Sequence, residues 1–278
     1  MKTQAEKAVV FRELHARSRP FLIPNPWDRG SALILESMGF EALATTSLGV
    51  ANMLGQDGVT LKQVLDNTRE LCEATDLPVN ADLENGFADD PREAAKAIRL
   101  ACEHGAVGGS IEDSSGNPAK PIYDFNLALE RVQAAVEVAR SLPVPFTFTA
   151  RAENFLHGRK DMDDTIKRLQ AFEAAGADVL YSPGLHTLAE IRTVTSALKK
   201  PFNLVMGFAD PTITLEQLGQ AGVRRVSIGG GLSRVALKAF MQAAREMREG
   251  RFGFITDMAP VAELRSAFKR PLISKPGT

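Results

Sequence analysis

The 278-residue sequence predicts an α/β protein, a (β/α)8 TIM barrel in a single domain over residues 1–278. Short apolar runs alternate with longer helical stretches eight times along the chain. Most entries into an apolar run carry a turn signal, as at Gly39-Phe40, Asp76-Leu77-Pro78, His104-Gly105-Ala106, Gly176-Ala177-Asp178 and Ala221-Gly222-Val223. Strands alternating with helices imply a parallel sheet with right-handed crossovers, and eight such units close more naturally into a barrel than an open sheet. A doubly wound fold would place Gly-x-Gly-x-x-Gly after its first strand. The residues there are Asn25-Pro26-Trp27-Asp28.

In chain order, residues 3–17 read as an amphipathic helix with Lys7, Val9, Val10 and Leu14 toward one face. Pro20 to Pro24 is the first strand, and Asp28 is placed to cap a helix from Gly30 to Met38. Ala42 to Ser47 is the second strand, followed by a long loop through Asn52, Gly55, Asp57 and Gly58; Thr60 caps a helix to Ala74. Leu77–Leu83 is the third strand, and Pro91–Glu103 its helix, with proline in the first turn, where its missing N–H costs nothing. Strands follow at Val107–Glu112, Pro145–Arg151, Asp178–Tyr181, Pro201–Met206 and Arg225–Ile228. Their helices end near Arg140, Ala175, Leu198, Ala221 and Arg248. The barrel thus occupies about 18–250. A C-terminal helical extension covers about 256–278, with a helix from Ala259 to Phe268 and a loose tail from Lys269.

Composition narrows the function classes. Hydrophobic residues make up 44%, enough for a large core, and the net charge of −1 gives no bulk attraction to nucleic acid or an anionic membrane. No apolar run has the length of a membrane span, and the first residues lack the core of a signal peptide. Cys72 and Cys102 fall in helical segments and read as buried small hydrophobes, which fits a cytoplasmic protein. The four histidines show no metal-ligand spacing.

Chemistry concentrates at the strand ends, where such barrels hold their active sites. Asp82 and Glu84, two residues apart, share one face at the end of the third strand and repel each other. A divalent cation or a catalytic proton would justify that cost; two solvated loop acids are the plain alternative. Glu112 and Asp113 end the fourth strand, and Arg151 and Glu153 the fifth. Three acids and an arginine on consecutive strand ends favour a metal site. The competing reading is an Arg–carboxylate network that only holds the barrel mouth together. All-oxygen ligands select Mg²⁺, or Mn²⁺, over Zn²⁺, and Mg²⁺ keeps several waters. Gly229-Gly230-Gly231 ahead of a helix is open to two readings, a phosphate cradle or a tight turn. His157 reads as an acid–base group or a solvated loop histidine. The polar loop Ser114–Pro121 has the make-up of a lid or of an idle connection.

Taken together, Thr46-Ser47-Leu48, Leu54-Gly55-Gln56-Asp57, Asp82-Leu83-Glu84-Asn85-Gly86-Phe87, Ser110-Ile111-Glu112-Asp113 and Thr149-Ala150-Arg151-Ala152-Glu153 resemble the isocitrate lyase/phosphoenolpyruvate mutase superfamily over about residues 20–250. The resemblance implies an Mg²⁺-dependent lyase that acts on a small 2-oxo or 2-hydroxy (di)carboxylate through a metal-stabilised enolate. It implies Asp82 as the main metal ligand, with Glu84 and Glu112 reaching the ion through water. Thr46, Ser47 and Leu48 would hold the substrate carboxylate, Asp57 would lie near the metal, and Arg151 would contact substrate oxygens. Glu153, His157 or a metal-bound water would act as base. It also implies a homo-oligomer, a tetramer with exchanged C-terminal helices.

The sequence departs from that pattern in three places. Glu84 stands where many members have aspartate. Asp113-Ser114-Ser115-Gly116-Asn117 stands where the isocitrate and 2-methylisocitrate lyases carry a Lys-Lys/Arg-Cys-Gly-His lid. Ser182-Pro183-Gly184 stands where mutases place a histidine. Carbon–carbon cleavage or decarboxylation of an oxaloacetate- or methylisocitrate-like acid leads. A C–P bond enzyme of the phosphonopyruvate hydrolase or mutase type and a non-catalytic metabolite-binding barrel are the alternatives.

Overall fold

Eight parallel strands run in the order β1-β8-β7-β6-β5-β4-β3-β2 in a computed structural model that describes residues 2–269. They are β1 (Phe21–Ile23), β2 (Leu43–Ala44), β3 (Val79–Asp82), β4 (Gly108–Glu112), β5 (Thr147–Arg151), β6 (Val179–Tyr181), β7 (Phe202–Val205) and β8 (Val223–Ser227). The edges β1 and β2 meet through the Ala44 N–H, which donates to the Pro24 carbonyl at 3.1 Å and brings the sheet to a nearly closed barrel. The helices are α1 (Gln4–Ala16), α2 (Arg29–Ser37), α3 (Ser47–Leu54), α4 (Leu61–Ala74), α5 (Pro91–Glu103), α6 (Phe125–Ser141), α7 (Met162–Ala174), α8 (Leu188–Ser196), α9 (Leu215–Gln220), α10 (Gly231–Arg248) and α11 (Val261–Phe268). The fold is the expected (β/α)8 barrel with an added C-terminal helix. No helix among the described residues is long and apolar enough to cross a membrane.

Local chemistry explains where the helices begin. Thr3, Asp28, Thr60, Thr187 and Thr214 each cap a helix with a reciprocal capping box, and Asp90 caps α5 ahead of Pro91. Gly108 is required by space. A Cβ there would lie 2.7 Å from the Phe11 ring and 2.9 Å from the Thr147 carbonyl oxygen, so the bottom of β4 admits no side chain.

Helix α1 closes the N-terminal end of the barrel. Phe11 and Leu14 pack with Phe21, Ile23, Ala42 and Val107. The Lys7 ammonium donates to the carbonyls of Cys72 (3.0 Å) and Thr75 (2.7 Å) at the C-terminus of α4, where a cation is favoured. The expected inward face of α1 needs one correction. Val9 is 49% exposed, and Phe11, absent from the expected set, is fully buried.

The second correction concerns the segment after β2. Thr46 and Ser47 do not end a strand, and no long loop runs from them. Thr46 is the N-cap of α3, its Oγ1 accepting from the Gly49 N–H, and Ser47 begins the helix. A left-handed Gly55 ends it. At the C-terminus the helix of the extension lies at Val261–Phe268 and packs on α2. The expected loose tail lies outside the described residues, Lys269 excepted.

His15, at the end of α1, is buried against Phe11 and Phe21. Its Nδ1 bonds the Phe11 carbonyl at 2.7 Å, and Nε2 faces the Arg225 guanidinium at 3.4 Å. Burial first, then the charge of Arg225, lower its pKa from 6.5 to about 3. The unfolded chain therefore takes up a proton as pH falls through 6.5 while the native chain stays neutral until about 3, and stability is lost on acidification across that window. Each pH unit of mismatch is worth about 1.4 kcal/mol, so the loss by pH 5 is about 2 kcal/mol. Urea unfolding at pH 7 and pH 5 should show a pH dependence shallower by about that amount in His15→Gln. Equal pH dependence in the two proteins would refute this account of His15.

Candidate active site

The C-terminal ends of β3, β4 and β5 bring four carboxylates and one guanidinium together. Strand pairing aligns Asp82 with Ser110 and Glu112 with Arg151. The backbone ladder continues past the strands: Leu83 N–H donates to Ser110 O, Glu112 N–H to Glu84 O, and Asp113 N–H to Arg151 O. Arg151 is at the centre. Its Nη1 lies 3.0 Å from Asp82 Oδ1, its Nη2 2.8 Å from Glu112 Oε2, and its Nε 2.9 Å from Glu153 Oε1. The guanidinium also stacks over the Tyr181 ring, 4.8 Å from the centroid.

These contacts hold the arginine in one pose. Burial alone would weaken its charge, but Glu112 and Glu153 outweigh that and hold its pKa well above the usual value. The acids are crowded in turn. Burial, then Asp82 and Glu112, push Glu84 up to about 7. Burial raises Glu112 and Glu153 against the opposing pull of Arg151. Glu153 is fully buried and its Oε2 has no hydrogen-bond partner.

Two further devices position the acids. Asp113 accepts from the Glu153 N–H at 2.8 Å through Oδ1 and pairs with Arg168 at 3.0 Å through Oδ2, so a buried ion pair fixes the turn after β5. Glu84 adopts the left-handed conformation, φ +46°, which a non-glycine residue enters at a cost of about 1–2 kcal/mol. Arg131 pins the rest of that turn through the carbonyls of Asn85, Ala88 (2.6 Å) and Asp89 (2.5 Å).

Beside the acids lies the N-terminus of α3. Thr45 Oγ1 accepts from the Asp82 N–H at 2.8 Å, and the Ser47 N–H donates to Asp82 Oδ2 at 3.1 Å. Ser47 Oγ is buried beside the Glu84 carboxylate. A cavity of about 60 Å³ opens here, lined by Thr45, Thr46, Asp82, Arg151 and Tyr181 above, with Asn80, Asn203 and Arg225 below.

The sequence-derived candidates divide accordingly. The fold draws Thr46, Ser47, Asp82, Glu84, Glu112, Arg151 and Glu153 into one neighbourhood. Leu48 is half exposed and packs over Gly230. Asp57 is exposed in the loop after α3 and does not line the cavity. His157 is also exposed, its Nε2 3.1 Å from Ser114 Oγ, and partial burial lowers its pKa. No group of three metal-ligating side chains is preassembled among the described residues, because Arg151 stands between Asp82 and Glu112. The glycine run forms a tight turn: the Ile228 and Gly229 N–H groups both donate to Asn25 Oδ1, at 3.0 and 2.8 Å. The polar loop is a small hairpin, bridged at Ser114 and Ile122 and tied by the Ser115 N–H to the Pro121 carbonyl. Sequence reading missed Asn80, Asn203, Arg225 and Tyr181. Asn203 is a polar residue inside the otherwise apolar strand β7, which was the available signal.

Residues 11–248 match the family model described as phosphoenolpyruvate phosphomutase. The chain belongs to the PEP mutase/isocitrate lyase superfamily. A solved Burkholderia cenocepacia protein described as a candidate lyase/mutase shares 52% identity over 96% of this chain and 97% of its own, with a TM-score of 0.94. An uncharacterized protein of Mycobacterium tuberculosis is 31% identical over 92% of this chain and 95% of its own. The 2-methylisocitrate lyase of Escherichia coli is 28% identical (77% of this chain, 75% of its own), and the oxaloacetate decarboxylase of Paraburkholderia xenovorans 28% (81% and 76%). A phosphonopyruvate hydrolase solved with oxalate and Mg²⁺ shares the fold at 20% identity over 96% of this chain and 95% of its own, TM-score 0.84. Family and site together make the chain an enzyme of the lyase type.

The strained turn gives a direct test. Glu84→Gly removes both the left-handed strain and a buried acid that resists ionisation, so unfolding free energy at pH 7.5 should rise by about 1 kcal/mol. Denaturant titration checks it, and an unchanged or lower stability would show that Glu84 is not strained.

Proposed function

We propose that the protein is a carbon–carbon lyase for a small 2-oxo or 2-hydroxy carboxylate, working with a divalent cation, Mg²⁺ by preference. The observation that carries this reading is the charge balance at the mouth. Asp82, Glu112 and Glu153 pair with a single guanidinium and Glu84 stands beside them, so a fully ionised cluster has four negative charges against one positive. A dication offsets that excess. The donors are all hard oxygens, and they are not preassembled into an all-protein cage, which fits an ion that keeps most of its water. Asp82 would hold it directly and Glu84 and Glu112 through water. When bound, the ion supplies a Lewis acid for the substrate's 2-oxo oxygen.

The remaining roles fall to the chain itself. Arg151, braced on three sides, presents a fixed positive charge where negative charge develops on the substrate; preorganised charge of this kind is worth several kcal/mol in a water-poor site. The N-terminus of α3, with the buried Ser47 hydroxyl, is suited to the substrate carboxylate. The cavity of about 60 Å³ admits only a small acid. No thiol serves the site. Cys102 is held by Gln4 at the opposite end of the barrel, and Cys72 lies on α4, its carbonyl bonded by Lys7 of α1. This favours chemistry whose leaving group needs no acid, such as loss of CO₂ from an oxaloacetate-like substrate.

Calorimetry with Mg²⁺ and oxalate should show coupled binding, and Asp82→Ala should abolish it. Oxaloacetate, 2-methylisocitrate, dimethylmalate and phosphonopyruvate should then be screened for turnover. Absence of Mg²⁺ and Mn²⁺ binding would overturn the reading, and turnover of phosphonopyruvate alone would move it to C–P chemistry.

A homo-oligomer completes the proposal. Ser233 is the single buried residue of α10, while Val235, Phe240 and Met241 are 68%, 70% and 50% exposed. Leu22, pointing outward from β1, is also uncovered at 41%. A second copy of the chain is the occupant that fits these faces, in keeping with the helix exchange the resemblance implies. Light scattering should report a tetramer for the wild type and a smaller species for Phe240→Asp; a monomeric wild type would remove the idea.

A further inference from the structure

A large cavity lies at the other end of the barrel from the acids. It measures about 630 Å³ and is walled by α1, the end of α6 and the entries to β5, β6 and β7. A second cavity of about 380 Å³ adjoins it, the two sharing His15, Ala16, Lys200 and Pro201. Six cationic side chains line the pair: Arg12, Arg17, Arg140, Lys199, Lys200 and Arg224. The only acid among the lining residues is Asp178, and Arg140 grips it with both terminal nitrogens, at 2.8 and 3.0 Å. Arg17 is paired with Glu41 at 2.7 Å. Glu173 approaches from outside, but its carboxylate accepts the backbone N–H groups of Lys199 and Lys200. Arg12, Lys199, Lys200 and Arg224 thus form no ion pair among the described residues. The whole chain carries a net charge of −1, so this surplus is a property of the one face.

One buried group adds to this. Thr147 lines the larger cavity and is 3% exposed, and its Oγ1 has no hydrogen-bond partner. An unpaired buried hydroxyl costs free energy. The rest of the wall is apolar and stiff, with Leu142, Pro143, Val144, Pro145, Phe146 and Pro201. The volume is in the range of small-molecule sites.

We propose that this N-terminal mouth is a second binding site, for an organic anion bearing two or more negative charges on a partly apolar body. Arg12 and Lys200 bind its charged groups, and the proline-rich wall takes its skeleton. The site is separate from the catalytic cavity, with His15 and Arg225 between them.

Calorimetry at low salt with two probes, citrate for a carboxylate source and AMP for a phosphate source, tests this on the wild type and on Arg12→Gln/Lys200→Gln. Both substituted residues are exposed, so the thermal midpoint should stay put and report an intact fold. At least one probe should bind the wild type and lose tenfold or more in affinity in the double variant, and the probe that does so identifies the anion class. The proposal falls if neither probe binds at 5 mM, or if every probe that binds does so equally well in the variant. Neither result bears on Mg²⁺ and oxalate at the opposite mouth.

Discussion

The arrangement of this barrel mouth depends on the charge of Arg151. One guanidinium from the end of β5 reaches carboxylates from β3, β4 and its own following turn, and its plane rests on a tyrosine from β6. In a partly buried site an arginine with no acid, or these acids with no arginine, would be costly to fold. Together they form a cluster of paired charges that is tolerable when folded. The burial that raises Glu84, Glu112 and Glu153 is the same burial that makes each charge effective in chemistry.

That balance needs rigid support, and the support comes from residues that do not line the cavity. Asp113 fixes the Glu153 backbone and is itself held by Arg168 from α7. Arg131 from α6 holds the Asn85–Asp89 turn, and its guanidinium stacks on Tyr123, 4.3 Å from the ring centroid. Within that turn Gly86 takes φ +77° with the α5 backbone at Ala94 only 2.8 Å from where its Cβ would be, so helix and turn are locked together. Glu84 bears the strain. Its left-handed backbone persists because the Glu112 N–H, Arg131 and the α5 contact over-determine the turn.

Much of the fold was legible because the barrel repeats one simple alternation. Strands of two to five residues separated by capped helices leave a pattern that survives without knowledge of contacts. The Pro91–Glu103 helix was read to the residue, because Asp90 and Pro91 mark its start. Helix α3 was not, since Gly49, Asn52 and Gly55 make Ser47–Leu54 look like loop, and only the Thr46 cap and the contact of Gly49 with Trp27 show otherwise. The acidic end of β3 was visible as Asp82 and Glu84. The part Arg168 plays was not, because its partner Asp113 lies 55 positions away and only the fold brings them together. The interior layer of Asn80, Asn203 and Arg225 escaped for a different reason. Periodicity tells which residues share a face, but not that the inner face of these strands would be wet.

The loop after β4 shows how the missing lid bears on chemistry. A lid that delivers an acid must carry one, and between Ser114 and Ile122 the chain offers two serines, an asparagine and a lysine. The lysine is spent on Asp124 at 2.6 Å, and Ser114 on His157 at 3.1 Å. Asn117 caps its own turn, accepting from the Ala119 N–H at 2.9 Å. A loop so engaged holds no strong proton donor ready. Reactions in which the departing fragment must be protonated, as in retro-aldol release of a carboxylate carbanion, would then rely on the buried acids or on solvent. Reactions that expel a neutral fragment need no such donor for that fragment.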